Sequence, residues 1–171
     1  YYAYALQYKE RLAEQGITLR VDTSVGSSEN LERLLTNDTD LAFVQGGITQ
    51  TDTPLLSLGS LYYEPTWLFH RKDFSLKKLT DLAGQTVAIG PEGSGTRSLA
   101  LLLMSDNKLN KSNVTFVDET GSAAAKRLIS GDIDAAFFIG SVNSTVIQRL
   151  IQAPSLNLTS LKRAEAYKRL H

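Results

Sequence analysis

An internal repeat constrains this 171-residue chain more than any other feature of its sequence. Residues 33–46 (RLLTNDTDLAFVQG) align with residues 127–140 (RLISGDIDAAFFIG) at an offset of 94, and seven of the fourteen positions are identical. A Gly-Ser pair precedes each copy, so each copy is predicted to contain a Gly-Ser turn, a helix, an Asp-x-Asp turn, an apolar strand and a glycine. The repeat favours two lobes of one architecture, although chance similarity between two α/β units is an alternative.

The rest of the chain follows the same alternation of helices and strands. Strands separated by helices of about ten residues are typical of parallel α/β units. Apolar periodicity and cap residues predict helices at 1–15, from Ser27 or Ser28 to Leu35, and at 79–82, 96–104, 122–129, 144–151 and 161–170. Apolar runs predict strands at 17–22, 40–45, 85–90, 113–117 and 134–139, with a strand-rich region at 55–70.

Composition excludes several classes of function. Lys+Arg and Asp+Glu each count 18, so no basic excess points to nucleic acid or to an anionic membrane surface. No apolar run reaches the roughly 18 residues of a membrane span. Cysteine is absent and only two histidines occur, which argues against thiol chemistry, Cys-based metal sites and His-rich zinc sites. No metal ion and no cofactor is predicted. These counts favour a binding module over an enzyme.

Gly/Ser loops before predicted helices are the first candidate ligand site. A turn at the start of a helix presents unpaired N–H groups to an anion, and glycine permits close approach. The loop at 90–97 (GPEGSGTR) lacks the lysine of a nucleotide-binding P-loop and does not match the dinucleotide fingerprint, so a small anion is favoured over a nucleotide. The candidate residues are Gly26, Ser27, Ser94, Gly95, Thr96 and Arg97, the last as a fork for a carboxylate. A plain helix cap with a surface arginine is the alternative.

Further candidates follow the repeated apolar strands. Ligands of open α/β sheets bind outside the carboxyl ends of the strands, where Gln45, Gly46, Gly140 and Ser141 are predicted to lie. An aromatic cluster at 62–67 is predicted to line a cleft between lobes or to belong to the core. The repeated aspartates are interpreted as turn formers and His70 as a structural residue.

Several segments together resemble a known family. They are a Tyr-Tyr pair opening the first helix, Gly-Ser-Ser-Glu-Asn-Leu at 26–31, and the segments 40–45, 79–84 and 90–96. In this order they resemble the solute-binding subunits of the TAXI family of TRAP transporters, in the type 2 periplasmic-binding-protein class. The resemblance implies an α/β fold of two three-layer αβα lobes, residues 1–71 and 72–171, joined by hinge strands.

The same resemblance implies a bacterial periplasmic receptor, free or tethered to the membrane, that delivers its solute to the membrane subunits of a TRAP-type transporter. The solute would be a small carboxylate or an amino acid such as glutamate. It would contact Tyr1 or Tyr2 in addition to the residues above. Members of the family are about twice as long and begin with a strand before the first helix, so the first lobe is expected to be incomplete.

Two other functions are compatible with this architecture. The ligand-sensing effector domain of a transcription regulator shares the two-lobe fold, but no DNA-reading helix is recognised in the sequence. An enzyme of related fold needs a nucleophile and a positioned base, and neither is visible.

Overall fold

The computed structural model describes residues 1–46 and 54–160. The predicted helix at 161–170 therefore lies outside the described residues. The helices are α1 (Tyr2–Ala13), α2 (Ser27–Leu35), α3 (Gly95–Asp106), α4 (Gly121–Ser130) and α5 (Thr145–Gln152), with a 3₁₀ turn at Leu79–Leu82. The strands are β1 (Thr66–Arg71), β2 (Thr86–Ala88), β3 (Thr115–Val117), β4 (Ala135–Ile139) and β5 (Leu156–Leu158). No helix in these ranges is long and apolar enough to cross a membrane.

The five strands form one mixed sheet in the order β3-β2-β4-β1-β5. Strand β2 runs parallel to β3 and β4, as the alternation of strands and helices predicts. Strand β1 runs antiparallel to β4 and β5, so the sheet also contains antiparallel pairs. Strand β5 was not predicted.

Helices cover both faces of this sheet. Because successive side chains of a strand point to opposite faces, Ala135 and Phe137 of β4 pack with α3 and the 3₁₀ turn, whereas Ala136 and Phe138 pack with α4 and α5. The two apolar clusters hold the buried side chains on opposite sides of the strands. The second half of the chain is therefore a three-layer αβα unit, as predicted.

The first part of the chain lacks this organisation. The strands predicted at 17–22 and 40–45 are wrong, because neither segment forms a strand or pairs with one. Leu41 remains 54% exposed, Ile17 remains 48% exposed and α1 buries no residue. In the strand-rich region at 55–70, only β1 forms a strand. A strand needs a hydrogen-bonding neighbour, and residues 1–46 and 54–65 provide none, which agrees with an incomplete first lobe.

The two repeat copies share their turn but not their strand. Asn37 (φ 59°) and Gly131 (φ 87°) both adopt the left-handed conformation that ends a helix. The N–H of Asp38 and that of Asp132 each donate to the carbonyl five residues earlier, at 2.8 and 2.9 Å. Only the second copy continues into a strand, because β2 and β1 flank β4.

Strand β1 ends the segment predicted as the first lobe, but it lies inside the sheet of the second half of the chain. It pairs on both sides within the sheet, and Arg71 at its end donates its N–H to the Asp134 carbonyl at 3.0 Å. A division of the chain at residue 71 stays a prediction.

Candidate functional site

Three helix starts meet at one edge of the sheet. The parallel strands β2, β3 and β4 end at this edge, and each is followed by a short loop and a helix, namely α3, α4 and α5. The predicted residues Ser94, Gly95, Thr96, Gly140 and Ser141 lie in these loops and first turns. Unpaired N–H groups at helix starts give this edge a positive potential that suits an anion.

The turn before α3 is held by its own polar groups. Ser94 caps the helix, since its Oγ accepts from the Arg97 N–H at 3.2 Å and donates to the Pro91 carbonyl at 2.8 Å. Gly95 and Thr96 are buried in the first turn. The turn before α3 is therefore stabilised by hydrogen bonds within the protein.

The start of α2 lies directly against this turn. Gly26 has φ 155°, and a Cβ added to it would stand 2.7 Å from the Gly93 carbonyl oxygen and 3.1 Å from the Ser94 Cα. The close approach therefore requires glycine. It brings Gly26 and Ser27 beside Ser94, so residues predicted from separate motifs meet in the structure.

Arg97 has partners within the protein. Its Nη1 donates to the Gly90 carbonyl at 3.1 Å and forms an ion pair with Asp118, and its side chain is only 14% exposed. These bonds tie α3 to the ends of β2 and β3. The predicted contact of Arg97 with a solute carboxylate stays a prediction, beside a structural role that the sequence did not indicate.

Gln45 links α2 to a carboxylate that was not predicted as a site residue. Its backbone N–H donates to the Ser27 Oγ at 3.0 Å, and its Nε2 donates to the Glu64 Oε2 at 3.0 Å. The Tyr1 hydroxyl donates to the same oxygen. Burial, followed by the hydrogen bond and the charge of Glu64, raises the pKa of the Tyr1 phenol far above its ordinary range, so this hydroxyl stays a donor. The only sequence signal for Glu64 was its place in the aromatic cluster.

The other predicted residues are placed less closely. Tyr2 is 54% exposed and Gly46 is exposed. The Gly140 carbonyl accepts from the Trp67 indole N–H at 2.8 Å. Ser141 is exposed, and its Oγ accepts from the Asn143 N–H at 3.2 Å. None of these contacts links the predicted residues Tyr2, Gly46, Gly140 and Ser141 to Gly26 or to the side chain of Gln45.

His70 and one of the repeated aspartates, Asp134, make contacts that stabilise the fold, as their structural interpretation predicts. His70 is 5% exposed, and its Nδ1 lies 2.8 Å from the Arg71 carbonyl. Asp134 accepts the Thr86 N–H at 2.8 Å, which joins β2 to the start of β4. No group of acidic or histidine side chains within 1–46 and 54–160 is arranged to hold a metal ion.

An open cleft of about 600 Å³ lies at the opposite edge of the sheet, lined by residues of 70–77 and 157–160. It contains none of the predicted site residues. The ends of β2, β3 and β4 combine helix starts, close backbone approach and a carboxylate, so we place the candidate site there.

Comparison with known proteins gives the following matches. A model of the NMT1-like family matches residues 1–170. An ancestral arginine-binding protein bound to arginine has a TM-score of 0.62 and 17% identity over 90% of this chain and 66% of that chain. The amino acid ABC transporter substrate-binding protein AbpA of Streptococcus pneumoniae, bound to L-arginine, has a TM-score of 0.58 and 20% identity over 91% of this chain and 63% of that one.

A third structure is the alkanesulfonate-binding protein SsuA of Xanthomonas axonopodis pv. citri bound to MOPS, with a TM-score of 0.57 and 19% identity over 91% of this chain and 55% of that chain. The chain spans less than two thirds of the length of each of these structures. The likeness establishes the fold, which is that of the two-lobed periplasmic binding proteins.

Proposed function

This chain belongs to the NMT1-like family, and we propose that it is a solute-binding receptor that captures a small anionic organic solute between two lobes. The solute class is a carboxylate or an amino acid such as glutamate. The receptor acts in the periplasm and delivers the solute to the membrane subunits of a TRAP-type transporter, as a member of the TAXI group. The proposed lobes are residues 1–71 and 72–171, closing by hinge motion.

The observation that carries this proposal is the contact between the start of α2 and the turn before α3. The Gly93 carbonyl would lie 2.7 Å from a Cβ on Gly26, so the two helix starts are as close as backbones allow. Two converging helix N-termini attract one negative charge more strongly than either alone. The arrangement therefore suits the anionic group of a small solute.

The ligands of the similar structures are consistent with this charge. Arginine carries a carboxylate and MOPS a sulfonate, so the two share an anionic group while the rest of each molecule differs. We transfer to this chain only that shared chemistry. No catalytic role is proposed for any residue, and the matches offer no support for a regulator domain.

The proposed ligand-binding set extends over both parts of the chain. It consists of Tyr1, Tyr2, Gly26, Ser27, Gln45, Gly46, Ser94, Gly95, Thr96, Arg97, Gly140 and Ser141. Exposed Ser141 is the most useful for a test, because a substitution there does not disturb the core.

The test introduces a negative charge at the site. Ser141→Asp places a carboxylate at the ends of the strands, whereas Ser155→Asp places one at an exposed position beside β5, next to the opposite edge. Calorimetric titration with carboxylates, amino acids and phosphate is expected to find one class that binds. Ser141→Asp is expected to weaken its Kd by about tenfold or more through charge repulsion, while Ser155→Asp leaves it unchanged. Absence of binding by every compound, or equal effects of the two variants, would refute the proposal.

A further inference from the structure

Glu64 is a carboxylate without a cationic partner among the described residues. It is half-buried, and the six ion pairs of the described residues do not include it. The Tyr1 hydroxyl and the Gln45 amide both donate to its Oε2. Neutral donors thus hold the carboxylate in place while its charge stays uncompensated.

The tyrosine that donates to this carboxylate, Tyr1, belongs to a cluster of aromatic rings. The Tyr1 ring stacks on Phe43 and on Tyr62, with centroids 5.9 and 6.2 Å apart, and Tyr4 lies 5.4 Å from Tyr62. The faces of aromatic rings attract cations, and partial desolvation strengthens that attraction. A fixed carboxylate beside aromatic faces is the chemistry that recognises a protonated amine or a guanidinium.

Hydrogen bonds connect this group to the proposed anion site. Gln45 bridges Glu64 and Ser27, and Ser27 opens α2 beside the turn at Gly93. The site therefore has a positive end at the helix starts and a negative end at Glu64. A solute with charges of both signs matches it, whereas a simple carboxylate leaves the Glu64 charge unpaired.

We propose that Glu64 binds the protonated nitrogen of the solute, so that the protein selects an amino acid over the corresponding carboxylic acid. This inference rests on the proposed function and narrows its solute class. Tyr1 and Gln45 act as positioning residues, because their hydrogen bonds to Oε2 fix the carboxylate.

The experiment compares matched ligands that differ by one amino group. Calorimetric titration of the protein with L-glutamate and glutarate, and with L-alanine and propionate, is expected to give tighter binding of the amino acid in at least one pair. Glu64→Gln retains an acceptor for Tyr1 and Gln45 but removes the charge. It is expected to weaken the binding of the amino acid by roughly 10- to 100-fold, the loss typical of one charge-assisted hydrogen bond. The Kd of the matching ligand without the amino group is expected to stay unchanged.

Glu32→Gln is the control, because it removes the same charge from an exposed position on α2. Equal binding of both members of a pair, or equal weakening of both by Glu64→Gln, would overturn the role of Glu64 and leave the anion receptor standing. Absence of binding by all four compounds, and by the wider panel of carboxylates, amino acids and phosphate, would overturn both proposals. A circular-dichroism melt of Glu64→Gln checks that the variant is folded.

Discussion

The contact between Gly26 and Gly93 predicts that Gly26→Ala strongly destabilises the arrangement of the two turns. Gly26 has φ 155° and ψ −167°, a conformation that residues with a Cβ rarely adopt. The added Cβ would lie 2.7 Å from the Gly93 carbonyl oxygen, well inside the 3.4 Å at which ordinary contact begins. Because the obstacle is backbone rather than the end of a flexible side chain, it cannot be relieved by a rotamer change.

Gly140→Ala is the matched control for this prediction. Gly140 has φ 157°, nearly the same as Gly26, but an added Cβ meets nothing within 4 Å. Both variants therefore carry backbone strain of about 1–3 kcal/mol. Only Gly26→Ala also places a Cβ in occupied space, and such overpacking costs about 1–3 kcal/mol more. For a chain of this size, the difference corresponds to a Tm roughly 2 to 12 °C lower than that of Gly140→Ala.

Thermal melts followed by circular dichroism measure this difference, and titration with the bound solute measures its effect on Kd. We expect Gly26→Ala to melt below Gly140→Ala. If the two variants melt together, the start of α2 does not lie against the turn before α3. That result would remove the geometric basis of the proposed anion site.

Three further predictions follow from single contacts. Asp134→Ala is expected to lower the free energy of unfolding by about 1–3 kcal/mol in denaturant titrations, because the Thr86 N–H loses its acceptor, whereas Asp134→Asn keeps one and costs less. Trp67→Phe is expected to cost about 0.5–1.5 kcal/mol through loss of the indole hydrogen bond to Gly140, and an unchanged melt would argue against that bond. Burial and a nearby carboxylate raise the pKa of Tyr62, so its phenol stabilises the fold up to the ordinary value of 10.0 and loses that contribution as pH rises further. Absorbance at long ultraviolet wavelength should show one fewer late-titrating phenol in Tyr62→Phe.

Much of the second half of the chain was predictable from local pattern. The predicted helices at 122–129 and 144–151 and the strand at 134–139 match α4, α5 and β4 within a few residues. The helices carry apolar periodicity, Gly131 in the left-handed conformation ends α4, and both faces of β4 are buried, as a continuous apolar run requires. Strand β5 has three residues, too few for a pattern, and it exists because β1 offers it a pairing edge.

The same local pattern failed for residues 40–45, although they belong to the repeat copy 33–46, which is identical to residues 127–140 at seven of fourteen aligned positions. Composition suits both copies to a strand, but only β4 has neighbours on both sides. Strand propensity expresses packing and pairing rather than an intrinsic preference of the backbone, so the unpaired copy forms no strand.

The sequence by itself determined which loops carry the candidate site. The start of a helix leaves N–H groups unpaired, and a glycine before it permits close approach of another group. Both properties hold wherever the helix lies in the fold. Only the tertiary structure decided that Gly26 meets Gly93, that Arg97 binds Gly90 and Asp118, and that Gln45 reaches Glu64. Those contacts join residues from 7 to 67 positions apart in the chain. Such distances are set by how helices and strands pack, which a local pattern does not encode.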